Sequence, residues 1–341
     1  DQQRTLELPS IYPGWGYISL ARGQQRSCAT PRGLPENTSA FDLPKLTSPT
    51  VELTKLFSLF GLHMKRLLLC CCLLVVNSLS ADETPFSDAK LELLWKEGEF
   101  TEGPCVGPDG CIYFSDIGNR VMKFDPATKK TTAFRDPSGR TNGLKFNQAG
   151  ALIACEGANT GGNRRISITD KDGKVKTLAD AYMGKKFNSP NDLALDAKGR
   201  VYFTDPRYVG SEKREIDTES VYRIDTDGTV TQVIKDVQKP NGVVLSPDQK
   251  TLYLADNNGA AKGNRFLLAY PLKEDGTVGE PKKLHDFGDD RGIDGMTVTT
   301  TGLIVVTAGK GKTAGITVFT PEGKKIAFLG TPEDPSNCCF G

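Results

Sequence analysis

Histidine is almost missing from this 341-residue chain: there are two, and beyond position 81 only His285 remains, in a segment, KKLHDFG, that reads as an outer strand. A histidine general base, a Ser-His-Asp triad and a histidine dyad therefore have no candidate. Cysteine is present but unpatterned. Of nine, Cys28, Cys70, Cys71 and Cys72 fall in the first 81 positions, leaving Cys105, Cys111, Cys155, Cys338 and Cys339. An odd number without a CxxC pair argues against a disulfide framework and against a zinc site. Small buried thiols are expected, with Cys105 and Cys111 the one pair spaced to bridge a hairpin. No long run of like charge exists, and the net charge is +1 with 25% charged residues. A nucleic-acid footprint and a polybasic membrane patch are thereby excluded, and a small-molecule partner of a monomer is the expectation. LIVVTAGKGKT (303–313) imitates a phosphate loop, but the glycine it needs is replaced by Val306 and no helix follows, so nucleotide binding is rejected.

The first 81 residues read differently from the rest. At Met64 the chain runs MKRLLLCCCLLVVNSLSADE: two positive charges, an apolar run over 67–76, then small residues at Ser78, Ser80 and Ala81. This is the three-part pattern of a secretory signal peptide (64–81), too short to span a membrane, and it predicts an exported protein, periplasmic or secreted. Residues 1–63 precede that start, carry no sustained period, and are expected to be a non-native or disordered extension without structure.

From residue 88 onward the pattern is almost wholly strands, and no window carries an amphipathic helix. Short apolar runs (CIYFSD, RVMKFD, ALIACE, VYFTD, TLYLAD, LIVVTA) alternate with tight-turn signals such as PDG, KDG, AKG and TDG. Five blocks share one plan: a polar opener, an apolar segment, a turn, and an apolar segment with a polar end. They open at Glu102, Asn142, Asn191, Asn241 and Asp294, separated by 40, 49, 50 and 53 residues. That period lies at or just beyond the roughly 40 to 50 residues of a propeller blade. A sixth opener in register is Asn337, after which the strands of a further blade are absent. The expectation is an all-β, six-bladed propeller over 88–341 with its last blade C-terminally truncated, LELLWKEG (91–98) being available as an outer strand to close it.

Each inner strand opens beside the central channel, so the five openers deliver oxygen-bearing side chains to one place. Two carboxylates and three amides suit a hard cation, calcium first and magnesium second; zinc is disfavoured because no opener is Cys or His. Three long loops, 157–165, 208–219 and 257–264, are expected to shape the rim. Asp116, Asp205 and Asp256, which close second strands, are expected to bond backbone rather than to act in catalysis.

TEGP, FNSPNDLALDAKGRVYFTDP, KPNGVVLSPDQKTLYLAD and GIDGM, in that order, resemble the senescence marker protein, gluconolactonase and luciferin-regenerating-enzyme family over 91–341, closest to the gluconolactonase branch. The resemblance implies one divalent cation held by Glu102, Asn191, Asn241 and Asp294. It implies hydrolysis of a sugar lactone, with Asp294 as ligand and as base or nucleophile. Asn142 and Arg165 are expected to position sugar hydroxyls, with Glu156 as a further substrate-binding residue. CEGANTGGNRRI departs from the gluconolactonase pattern, in which a histidine follows CE, and this leaves the particular lactone open. The competing expectations are a calcium-dependent phosphotriesterase and a non-catalytic propeller that binds a sugar or a protein.

Overall fold

Five polar openers at blade spacing require five repeated sheets, and the computed structural model, which describes residues 91–341 and the strand Ile18–Ala21 (β1), contains them. The first blade is β2 (Thr101–Val106), β3 (Ile112–Asp116), β4 (Arg120–Asp125) and β5 (Lys130–Arg135). The second is β6 (Thr141–Phe146), β7 (Leu152–Glu156), β8 (Arg165–Thr169) and β9 (Val175–Ala179). A small hairpin, β10 (Ala181–Tyr182) with β11 (Lys185–Lys186), precedes the third blade: β12 (Leu193–Leu195), β13 (Val201–Asp205), β14 (Ser220–Ile224) and β15 (Val230–Ile234). The fourth is β16 (Pro240–Leu245), β17 (Thr251–Asn257), β18 (Arg265–Pro271) and β19 (Lys282–Asp286). The fifth is β20 (Met296–Val298), β21 (Ile304–Ala308), β22 (Gly315–Phe319) and β23 (Lys325–Gly330). Every blade is an antiparallel meander in chain order. The only helical piece among the described residues is the 3-10 turn Gly311–Thr313.

Five complete blades stand where six were expected. The sixth position is held by β24 (Asn337–Phe340), which pairs in parallel with β1. A strand at 18–21 departs from the expectation of no structure before residue 64. The rest of 1–90, including the expected signal peptide, lies outside the described residues. Residues 91–98 do not form the expected outer strand either. Instead Trp95 is buried edge-on against Phe114, in a cluster with Met122 and Cys339. A large indole gains more by filling that end of the core than a short edge strand would gain by pairing.

The core is a series of layers between blades. Ile153, Cys155 and Ile166 of the second blade pack on Leu193, Phe203 and Tyr222 of the third. Tyr202 and Val221 of the third pack on Leu252 and Leu254 of the fourth. Strands β3, β7, β13 and β21 are buried at every residue, which is why they read as continuous apolar runs, whereas β5 is exposed at most positions. The turns follow their signals: Asp196 Oδ1 accepts from the N–H groups of Lys198 and Arg200, both at 2.9 Å, and Gly199 supplies the positive φ that closes the turn. Cys105, Cys111, Cys155, Cys338 and Cys339 are all buried thiols, as expected.

Candidate active site

An irregularity in the pairing accompanies the opener in all five blades. In the first, second and fourth, the pairing register shifts between Glu102 and Cys105, Thr141 and Leu144, and Pro240 and Val243. In the third and fifth, Asn191 and Asp294 precede their strands. Such irregularities re-aim a side chain that a flat strand would commit to one face. The residue after the opener is Gly103, Gly143, Gly242 or Gly295 in four blades, and each fits against the next opener. A Cβ on Gly103 would meet the Asn142 carbonyl oxygen, one on Gly143 that of Asn191, and one on Gly242 that of Asp294. One on Gly295 would strike the Asn337 side chain. Backbone bonds stitch the same ring: Gly143 N donates to Asn191 O at 2.7 Å and Gly242 N to Asp294 O at 2.8 Å.

Within the ring the side chains pair. Asn241 Nδ2 donates to Asp294 Oδ1 at 2.8 Å, and Asn337 Nδ2 donates to Glu102 Oε2 at 3.1 Å. Arg291 forms an ion pair with Asp294 through Oδ2. Asn142 Oδ1 is buried and has no hydrogen-bond partner. Asn191 is half-buried and its backbone N–H donates to Thr204 O at 2.9 Å.

The third blade breaks the glycine rule with Asp192, the site residue that motif reading missed although the exception was visible in the chain. Its carboxylate accepts from Leu193 N at 2.8 Å and reaches across to Val243 N of the next blade at 3.2 Å. Burial pushes it up to about 6. Burial, and then the charges of Asp294 and Asp192, push Glu102 well above the usual carboxylate range. Asp294 is also raised by burial, against the opposing pull of Arg291 and Asn241. The Asp294 charge thus disfavours the ionised forms of Glu102 and Asp192, and Asp192 adds to the effect on Glu102, with Lys145 and Arg291 as the counter-charges acting on Asp192 and Asp294. Among the described residues no three Asp, Glu, His or Cys side chains are grouped closely enough to hold a metal ion on their own. A cation here would need the amide oxygens, and the unpartnered Asn142 Oδ1 together with the excess of buried acid fits that requirement.

Two expected substrate residues, Glu156 and Arg165, form an ion pair with each other. Glu156 is completely buried, with its oxygens bonded by Arg135, Arg165 and Asn163. Although burial pushes it up, the hydrogen bonds of Arg165, Ser167 and Arg135 hold it below the usual range. Arg165 spends its remaining reach on Thr177 Oγ1, at 2.8 Å. The two thus share an ion cluster with Arg135, at the second-strand end where other blades carry Asp116, Asp205 and Asp256. Those aspartates bond backbone as expected. Asp116 accepts from Glu99 N, Asp205 from Asn188 N and Ser189 N, and Asp256 from Lys239 N, at 2.7–2.9 Å. In the second blade the equivalent N–H groups, of Gly139 and Arg140, turn to Asn119 Oδ1 of the preceding blade, both at 2.8 Å, which frees Glu156 for the arginines.

The long loops meet across the mouth. Glu212 accepts from Asn159 N at 2.7 Å, and the Tyr208 hydroxyl donates to Asn257 O at 3.0 Å, so the 206–219 loop ties the second, third and fourth blades together.

Residues 100–341 match the family described as SMP-30/Gluconolactonase/LRE-like region. A gluconolactonase of Zymomonas mobilis subsp. mobilis is 29% identical over 280 residues, which cover 74% of this chain and 76% of the relative. Lactonase drp35 of Staphylococcus haemolyticus is 28% identical over 246 residues, covering 69% and 71%. The solved structure of a gluconolactonase from Xanthomonas campestris superposes with a TM-score of 0.65 at 28% identity, covering 72% of this chain and 81% of that one.

Proposed function

Because the chain belongs to the SMP-30/gluconolactonase/LRE-like family, we propose that it hydrolyses a sugar lactone at the mouth of its central channel. The observation that carries this reading is the convergence of Glu102, Asn241, Asp294 and the unpartnered Asn142 oxygen from separate blades on a buried, acid-rich axis. A protein-binding platform has no need to bury such a set, since each acid costs desolvation energy there. The gluconolactonase and lactonase names of the relatives support the same reaction class.

Glu102, Asn191, Asn241 and Asp294 would hold one divalent cation. The all-oxygen set suits calcium before magnesium and leaves zinc without its preferred ligands. A bound cation would polarise the lactone carbonyl and offset the negative charge that gathers on its oxygen. The protein's own share is proton transfer and orientation. Asp294 takes the proton from a water that attacks the carbonyl carbon, and the ring C–O bond then breaks with its oxygen leaving as a protonated hydroxyl; alternatively Asp294 attacks that carbon itself, expelling the ring oxygen and forming an anhydride that water hydrolyses. Arg291 and Asn241 each bond one of its oxygens and so fix the plane of the carboxylate. The Asn142 amide faces the same axis as a partner for substrate hydroxyls.

The test is a panel of sugar lactones, aromatic lactones and organophosphates assayed with and without chelator. A sugar δ-lactone is expected to be the best substrate; chelation should abolish its hydrolysis, and calcium should restore it better than zinc. Full activity in excess chelator would overturn the cation. Hydrolysis of organophosphates alone would favour the phosphotriesterase, and no turnover by the calcium-loaded protein would leave a binding platform.

Export is part of the same proposal. N-terminal sequencing of the mature product should begin near Ser80 to Glu83. Recovery of mature protein with the first 63 residues attached would refute it.

A further inference from the structure

Tyr208 leads the loop that runs from 206 to 219 over the channel mouth, and its two ends lie in different surroundings. The residue as a whole is 42% exposed, whereas its hydroxyl sits among Asn241, Asn257 and Lys239. A phenol carries its proton at neutral pH. Its single proton goes to Asn257 O at 3.0 Å. A lone pair is therefore left facing Asn241 Nδ2, 3.2 Å away.

An asparagine side chain can present either its oxygen or its nitrogen to the channel, and only the oxygen can bind a cation. Both Nδ2 protons of Asn241 are engaged, one by Tyr208 and one by Asp294 Oδ1. Asp294, however, is itself needed at the reaction centre, so its bond to Asn241 is drawn on by whatever else binds there. The Tyr208 hydroxyl is the acceptor that stays outside the channel. It is steadied in turn by the Lys239 ammonium 4.9 Å from the ring centre, which bonds Arg207 O at 3.0 Å.

We propose that Tyr208 is a positioning residue that locks the Asn241 amide with its oxygen toward the channel axis, coupling the 206–219 loop to cation binding. The inference rests on the lactonase reading above and deepens it: the loop that covers the substrate also sets the ligand field beneath it.

The experiment measures calcium affinity by titration calorimetry on the full chain for wild type, Tyr208→Phe, Asn241→Asp and the double variant, with melting temperatures taken in chelator. Tyr208→Phe keeps the ring and removes only the hydroxyl. It should weaken calcium binding by about 10- to 100-fold, the usual effect of losing a partner that orients a ligand, while turnover at saturating calcium stays near wild type. In the Asn241→Asp background the two side-chain oxygens are equivalent and no flip exists, so adding Tyr208→Phe should cost under about threefold, a non-additivity that reports coupling. A purely structural tyrosine would cost the same in both backgrounds, and that result would overturn the proposal. So would wild-type affinity in Tyr208→Phe, in which case the lactonase reading stands. Failure of the wild type to bind calcium would sink the cation reading and this proposal together.

Discussion

Replacing Asp294 by Asn is expected to slow lactone turnover at saturating calcium by about a hundredfold to ten-thousandfold, the range for losing a proton-transfer group. The change preserves volume and one ligand oxygen but removes the charge and the proton acceptor. It also leaves Arg291, which pairs with the Asp294 carboxylate, facing a neutral amide, and Asn241 Nδ2 facing a side chain that can turn its own N–H groups toward it. Asn191→Ala and Asn241→Ala should behave differently, mainly weakening cation affinity and recovering turnover at high calcium. Stopped assays on a sugar δ-lactone across a calcium series separate the two patterns. Near-normal turnover by calcium-loaded Asp294→Asn would reduce Asp294 to a ligand and pass the role of base to Glu102 or Asp192, the remaining acids of the ring.

The second large effect is on stability. Gly103 has a φ of +51°, and a Cβ there would lie 2.1 Å from the Asn142 carbonyl oxygen and 2.6 Å from the Gly143 Cα. Both obstacles are backbone, so neither can rotate away. Gly103→Ala should cost about 2–5 kcal/mol, adding left-handed strain to overpacking, and lower the melting temperature by on the order of 10 °C. Gly173 provides the control: its φ is +79° but a Cβ there would meet nothing within 4 Å. Alanine at 173 should cost only the backbone strain, about 1–2 kcal/mol. Equal melting temperatures for the two variants would show that the close fit of consecutive openers does not hold the ring together.

Much of this molecule is legible in the chain because a propeller is a repeat, and repeats print their period. The openers at Glu102, Asn142, Asn191, Asn241 and Asp294 could be found because each blade must start its inner strand the same way. The turn aspartates and the backbone-bonding Asp116, Asp205 and Asp256 follow from local hydrogen-bond chemistry that a short segment contains in full. Asp192 was legible too, as the one acid in a column of glycines, but its meaning lies in a contact to Val243, 51 residues away.

Local sequence determined the class of fold, the blade boundaries and the residue types that reach the axis, since strand period, turn chemistry and repeat length act over a few residues at a time. Only the tertiary structure decided that Glu156 and Arg165 bond each other. There the choice depended on Asn119 of the neighbouring blade taking over two backbone N–H groups. It alone also brought Arg291 onto Asp294, set Trp95 in the core in place of an edge strand, and hung Tyr208 over Asn241 from a loop whose sequence says only that it is polar and long. Except for Arg291 and Asp294, which are three residues apart, the deciding partner lies well away in the chain, and burial fixes which of several available hydrogen bonds is made.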